Sequence, residues 1–348
     1  KKAEILIDAS GKLVTPGLID LHTHVYYAVT KVSVEADTWC LSKGTTTAVD
    51  AGSAGALTFE GFRKHILPYA NTRLLAFLHI SSIGLIAPHP KDLTYLDKDK
   101  AVEVAKRYRD IIVGFKIRLN TEVVGRNGAK ALAIAKEASS IVEKPLMVHP
   151  GVTDMSIAEI LDYLEKGDII THCFPPPYKG STRSIMLDGN GKIYREVKDA
   201  IRKGVIFDVG HGKTSFSFYT AERALAEGVS PTTISTDLHS GNIMGPVFDF
   251  PTTLSKFLFL GMPLTEVVRK ATSIPASILG IENLVGTLKP GALADVAIFE
   301  LKRGKFKFYD YPATPITEKG EERIGDKILE PRYVIKDGRI VYAHVEYK

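Results

Sequence analysis

Glutamine is absent from the 348 residues, tryptophan occurs once, and cysteine occurs only as Cys40 and Cys173. Two thiols exclude a disulfide framework, allow one bridge at most, and favour a reducing cytoplasmic compartment. No apolar run reaches the roughly 20 residues that a membrane-spanning helix requires. Charge of one sign is not concentrated anywhere: 45 basic and 40 acidic residues give a formal net charge of +5 without a long like-charge block. A nucleic-acid groove or a membrane-surface patch would need such a block. A small-molecule substrate is expected instead, and an anionic one suits the slight basic excess; homo-oligomerisation is left open. A glycine fingerprint for a dinucleotide, internal repeats and low-complexity tracts are missing too. The lack of glutamine beside abundant Lys and Glu suggests a thermophilic source, which a mesophilic melting temperature would contradict.

What the sequence does contain is a rhythm. Strand-like apolar runs fall at roughly 18–24, 45–52, 73–80, 111–119, 145–151, 168–174, 204–211 and 232–239. Helix-like amphipathic segments lie between them, among them Ala101 to Arg109, Ala129 to Val142, Ile157 to Lys166 and Ile193 to Lys203. Runs such as AFLHI and VIFDVG read as buried on both faces, as parallel strands covered by helices must be. Eight such units predict an α/β fold, a (β/α)8 barrel over residues 17–280, in preference to an open doubly wound sheet. Past about residue 275 the rhythm stops. Gly286 to Asp295 leads into VAIFEL, and Tyr333 to Tyr342 reads as a hairpin turning at Asp337-Gly338. Residues 281–348 are expected to join residues 1–16, with their Ile5-Leu6-Ile7 alternation, in a small β-sandwich beside the barrel.

The chemistry-bearing residues sit at one end of these runs. In a strand, side chains at i and i+2 share a face, so His22 and His24 project together from the end of the first run. Lys116 lies in the fourth run, His149 ends the fifth, His172 the sixth and His211 the seventh, while Asp237 and His239 end the eighth. A barrel places its chemistry at the C-terminal ends of its strands, so all of these point to one mouth. Singly, each has an ordinary reading: a histidine held by a backbone carbonyl, or an aspartate capping the next segment. Cys173 reads as a buried structural thiol. Lys116, inside IIVGFKIRL, is the most informative. Burial lowers a lysine pKa, and a neutral amine can take up carbon dioxide to give an anionic carbamate. The alternatives are pairing with a carboxylate such as Asp237, or a head group that reaches solvent.

These motifs resemble the amidohydrolase superfamily of metal-dependent hydrolases over nearly the whole chain. TPGLIDLHTH resembles its entry motif, GFKIRL its strand-four lysine, VHPG and THCF its later histidines, STDLH its final aspartate, and GTLKPGALADVAIF its C-terminal signature. The dihydroorotase-like and N-acyl deacetylase branch is the most similar, through GTTTAVDAGSAG and FDVGHGKTSFSF. The resemblance implies two divalent ions, zinc by preference. His22, His24 and Asp237 would hold one ion, His149 and His172 the other, and carbamylated Lys116 would bridge them. Two such ions can share a hydroxide, with Asp237 as the catalytic base and then acid. It also implies further strands ahead of residue 1.

The substrate side departs from the dihydroorotase pattern, in which an arginine follows the His-x-His pair. Here Val25, Tyr26 and Tyr27 follow. Tyr26, Arg183, His211 and His239 are the expected substrate contacts, with Lys179, Tyr178 and Arg118 as further candidates for a carboxylate. The expected function is deacylation of a small N-acyl amino acid or acylated hydroxy acid. Alternatives are a cyclic amidase or lactonase using the same site, a mononuclear deaminase, and a catalytically silent scaffold.

Overall fold

A computed structural model describes residues 5–86 and 92–344. Seven strands form one parallel sheet in sequence order. They follow β1 (Leu13–Pro16) and are β2 (Leu18–Thr23), β3 (Thr45–Gly55), β4 (Arg73–His79), β5 (Ile112–Arg118), β6 (Leu146–His149), β7 (Ile169–Ile170) and β8 (Ile206–Phe207). Alternation along these strands divides the apolar residues into two sets. Leu21, Val49, Ala51, Leu75, Phe77, Val113 and Met147 pack together on the inner face of the curled sheet. Ala48, Leu74, Ala76, Phe115, Val148 and Phe207 belong to the larger core beneath the helices. Segment 233–238 makes isolated parallel bridges at both edges, Asp208 to Thr233 and Thr23 to Leu238.

β7 and β8 are shorter than the runs that predicted them. Beyond Ile170 the chain passes through Thr171 to His172, whose φ of 60° is left-handed, and beyond Phe207 it reaches Gly210 and Gly212 at φ 44° and 58°. Extended geometry ends there because the backbone bends toward the mouth. The expected helices occur at Lys98–Arg107, Gly128–Val142, Ile157–Asp162 and Arg195–Lys203. Asp97 caps the first of these, a Ser156/Glu159 capping box starts the third, and left-handed Gly204 ends the fourth. Among the described residues, no helix is long and apolar enough to cross a membrane.

A separate antiparallel sheet has the order β1, β9 (Val296–Tyr309), β10 (Glu322–Lys336), β11 (Arg339–Ala343). Leu13 to Pro16 pair with Phe299 to Val296, which joins both ends of the chain in one sheet. Asp337 and Gly338 take positive φ of 49° and 79°, as a tight two-residue hairpin turn requires. The expected small β-domain is thus present in part. Ile5-Leu6-Ile7 forms no strand, and Ile5 and Leu6 are 67% and 91% exposed, because alternation without a partner strand makes no ladder. Nor is there a second sheet among the described residues to complete a sandwich. Ala297, Phe299, Phe308 and Leu329 instead pack into the main core. Ser255 Oγ of helix Phe250–Phe259 accepts the Leu329 N–H at 2.9 Å.

Candidate active site

β2 is buried along its whole length, and its alternation sends Asp20, His22 and, just past its end, His24 to one face. Neighbouring hydroxyls orient both imidazoles. Thr171 Oγ1 lies 2.8 Å from His22 Nδ1, and Ser53 Oγ 2.8 Å from His24 Nδ1. The Nε2 atoms are thereby left toward Asp237 Oδ1, at 3.3 and 3.1 Å. Asp237 adopts φ 49°, and its carbonyl accepts from Asn242 Nδ2 at 2.8 Å. The ligand atoms of His22, His24 and Asp237 lie within 4.8 Å of one another.

Lys116 is 1% exposed, and parallel pairing sets it between His79 of β4 and Met147 of β6. Its Nζ lies 3.2 Å from His22 Nε2 and 3.2 Å from Met147 Sδ, and bare Gly52 packs against its stem. Among the described residues its ammonium has no carboxylate within ion-pair distance. The pairing with Asp237 considered from the sequence is therefore not made, nor does the head group reach solvent. Burial brings its pKa down to about 7. His149 and His172 face each other, Nδ1 to Nε2 at 2.8 Å, and the His172 ring is 5.1 Å from that of His22. His172 Nδ1 donates to the Gly210 carbonyl at 2.6 Å, which turns its Nε2 lone pair outward. All six residues expected as ligands thus converge.

The surrounding polar groups maintain this arrangement. Thr171 Oγ1 donates to Asp208 Oδ2 at 2.8 Å, and Asp208 also accepts from Thr233 and Ser235. Asp20 accepts from the Thr236 N–H at 3.0 Å and from its hydroxyl, tying β2 to segment 233–238. Burial alone would raise the Asp237 carboxyl, but the His22 and His24 imidazoles outweigh it and hold the group well below its ordinary range. Burial takes His172 down to about 3 and His149 well below its ordinary value, so both are neutral with lone pairs available. Two imidazoles and a carboxylate in contact, beside two further neutral imidazoles and a buried amine, form a donor set that suits divalent ions. His172 and Asp237 are also two of the non-glycine residues at positive φ, a strain that the surrounding hydrogen bonds hold in place.

The expected substrate contacts fare differently. His239 lines the mouth, and its Nδ1 accepts the Gly241 N–H at 3.0 Å, leaving Nε2 as the donor. His211 is buried away from it, stacked on Phe216 with Lys256 Nζ 2.6 Å from its Nε2. Tyr26 is 3% exposed; its hydroxyl donates to the Thr58 carbonyl at 2.7 Å and its ring meets Phe62. Arg183 is exposed and donates to the Tyr194 hydroxyl at 3.2 Å. Strand-end position alone could not separate these roles, because an imidazole can face the mouth or the layer of helices behind it. Arg118 lines the mouth beside His149, and its Nε is buried with no hydrogen-bond partner among the described residues. The i+2 spacing from Lys116 was the available signal. Ser53, Thr171, Asp208 and Asp20 were missed, since hydroxyls and carboxylates inside apolar runs read as ordinary strand residues. Cys40 and Cys173 are both buried and unbridged, and burial pushes both thiols up.

Residues 13–341 match the amidohydrolase family, and the chain belongs to it. It is therefore a hydrolase. A deacetylase of Agrobacterium fabrum is 35% identical over 341 residues, covering 97% of this chain and 81% of that protein. Among solved structures, one described as an adenine deaminase superposes with a TM-score of 0.87 at 33% identity, covering 95% of this chain and 87% of the other. Another, described as a dihydroorotase, gives 0.85 at 34%, covering 95% and 88%. Three activities are named at nearly one level of identity, so similarity gives the class of chemistry, and the pocket must give the substrate.

Proposed function

We propose that this chain is a binuclear metal-dependent amidohydrolase that deacylates a small N-acyl amino acid or acylated hydroxy acid. In this reading residues 17–280 form a (β/α)8 barrel, with 232–239 as its closing eighth strand. The observation that carries the reading is the meeting of His22, His24, Asp237, Lys116, His149 and His172 on the mouth that Arg118 also lines, its Nε without a hydrogen-bond partner among the described residues. His22, His24 and Asp237 would hold one divalent ion and His149 and His172 a second, with Lys116 as a carbamate between them; zinc suits these donors best. Such ions, when bound, make water nucleophilic at neutral pH and polarise a carbonyl.

The chain's own groups do the rest. Asp237 takes the proton of the attacking water and returns it to the leaving nitrogen or oxygen. His239, neutral because burial lowers its pKa, donates Nε2–H to the acyl oxygen. Arg118 pairs with the substrate carboxylate, an orientation that only an acid can exploit. Cyclic amide or lactone hydrolysis is the second reading, favoured by the likeness to the dihydroorotase structure. Lys116, 3.2 Å from His22, speaks against a mononuclear deaminase. The occupied ligand positions speak against a silent scaffold.

The test is metal analysis followed by assay of zinc-loaded protein on N-acyl amino acids, O-acyl hydroxy acids and cyclic amides. Two ions per chain and turnover of acyclic acids are expected. Full metal occupancy without turnover of any acyl acid would sink the proposal.

A further inference from the structure

The mouth has a second chamber. The first, of about 610 Å³, contains His22, His24, Lys116 and Asp237; the second, of about 540 Å³, opens beside His149 and His172. Arg118, Glu122, His149, Thr214 and Ser215 line both, so the Arg118 guanidinium, whose Nε has no hydrogen-bond partner among the described residues, stands at the neck between them beside the Glu122 carboxylate. Beyond the neck no charged side chain lines the second chamber among the described residues. Pro176, Tyr178, Ile185, Pro315 and Ile316 supply much of its wall.

Part of that wall comes from outside the parallel sheet. Thr314 to Thr317 belong to the connection between β9 and β10 of the small antiparallel sheet. This connection is held at its base and at its tip. At the base, the buried Asp310 carboxylate accepts the N–H groups of Phe218, Tyr311 and Glu321 at 3.1, 2.7 and 2.6 Å. At the tip, the Thr314 and Thr317 hydroxyls meet at 2.5 Å, and the Lys179 N–H donates to the Ile316 carbonyl at 2.8 Å. The turn is thereby fastened to the loop that carries Tyr178, so its shape is set before a ligand arrives.

We propose that the 314–317 turn is a specificity-determining wall. The second chamber holds an apolar substituent on the carbon that bears the substrate carboxylate, and Ile316 sets the size it admits. This rests on the deacylase reading, which makes the ligand an acid and sets its carboxylate and acyl group. With the carboxylate on Arg118 at the neck and the acyl group among His22, His24 and Asp237, the remaining substituent has the second chamber to enter. Its uncharged wall rewards apolar surface and repays no additional charge.

The test uses inert acids, so that it does not depend on turnover. Calorimetry on the zinc-loaded protein would compare acetate, 4-methylpentanoate and 3-phenylpropanoate, with wild type, Ile316→Trp and Ile316→Ala. Burial of one such apolar group predicts that the two larger acids bind wild type roughly 10- to 100-fold more tightly than acetate. Ile316→Trp, whose added bulk narrows the chamber at this wall, should lower that preference, most for 3-phenylpropanoate, and Ile316→Ala should reduce it about 3- to 10-fold. Acetate binding should stay within about two-fold throughout. Ile316 is 45% exposed, so both variants should fold, which their melting temperatures would confirm. Equal affinities for the three acids, or a size preference unmoved by both substitutions, would overturn the proposal. If the size preference and its loss are found but no acyl acid is hydrolysed, the wall stands and the deacylase reading falls.

Discussion

Gly212 leaves no room for a side chain beside Asp237, the proposed catalytic base, and replacing it separates geometry from stability. A Cβ built there would lie 2.7 Å from Asp237 Oδ2, closer than real Cβ atoms come. The carboxylate cannot retreat freely, because Oδ1 already lies 3.3 and 3.1 Å from two imidazoles. Gly212→Ala therefore has two costs. Its φ of +58° is left-handed, and an L-residue there costs roughly 1–2 kcal/mol of stability. The contact also displaces Asp237, and a misplacement of about 1 Å in a reacting group costs on the order of 100-fold in rate. Gly228→Ala is the control: φ is +75° but nothing lies within 4 Å of the added Cβ. Both variants should melt a few degrees below wild type, on the order of 2–4 °C per kcal/mol or less for a chain of this length. Only Gly212→Ala should lose kcat/KM, by about 100-fold, and only it should retain less metal. Equal activity in the two variants, with matched melting temperatures, would refute the claim that the bare glycine positions Asp237.

Ser53→Ala removes the hydroxyl that orients His24 Nδ1, and should lower metal affinity about 10- to 100-fold in competition titrations with a chelator while leaving the fold intact. Lys256, 0% exposed, is brought by burial from 10.5 to about 7. Between those values the unfolded chain binds the extra proton, so this lysine's contribution to stability rises as pH increases from about 7 to 10. Lys256→Met should remove that rise in urea unfolding curves taken across this range, and parallel pH profiles for wild type and variant would count against it. Tyr26→Phe should leave kcat and KM within two-fold and cost about 0.5–1.5 kcal/mol, the worth of its bond to the Thr58 carbonyl. A large rise in KM would return Tyr26 to the substrate pocket.

Local pattern carried much of this protein. The period-2 placement of His22 and His24, the apolar run around Lys116 and the strand-end histidines are properties of short segments. Alternation at 2.0 residues decides facing without any distant contact, which is why these residues and the parallel strands could be read from the chain alone. Tertiary structure decided what depends on neighbours far away in sequence. His211 and His239 both end apolar runs, yet one meets Lys256 and Phe216 in the core and the other lines the mouth. Arg118 lines the mouth with a buried Nε that, among the described residues, no segment supplies with a hydrogen-bond partner. The 314–317 turn is held at the pocket through Asp310 and Lys179, contacts with segments 92 and 137 residues away. A strand's period fixes the face a side chain takes, but what stands opposite that face is set by packing between segments that the period does not connect.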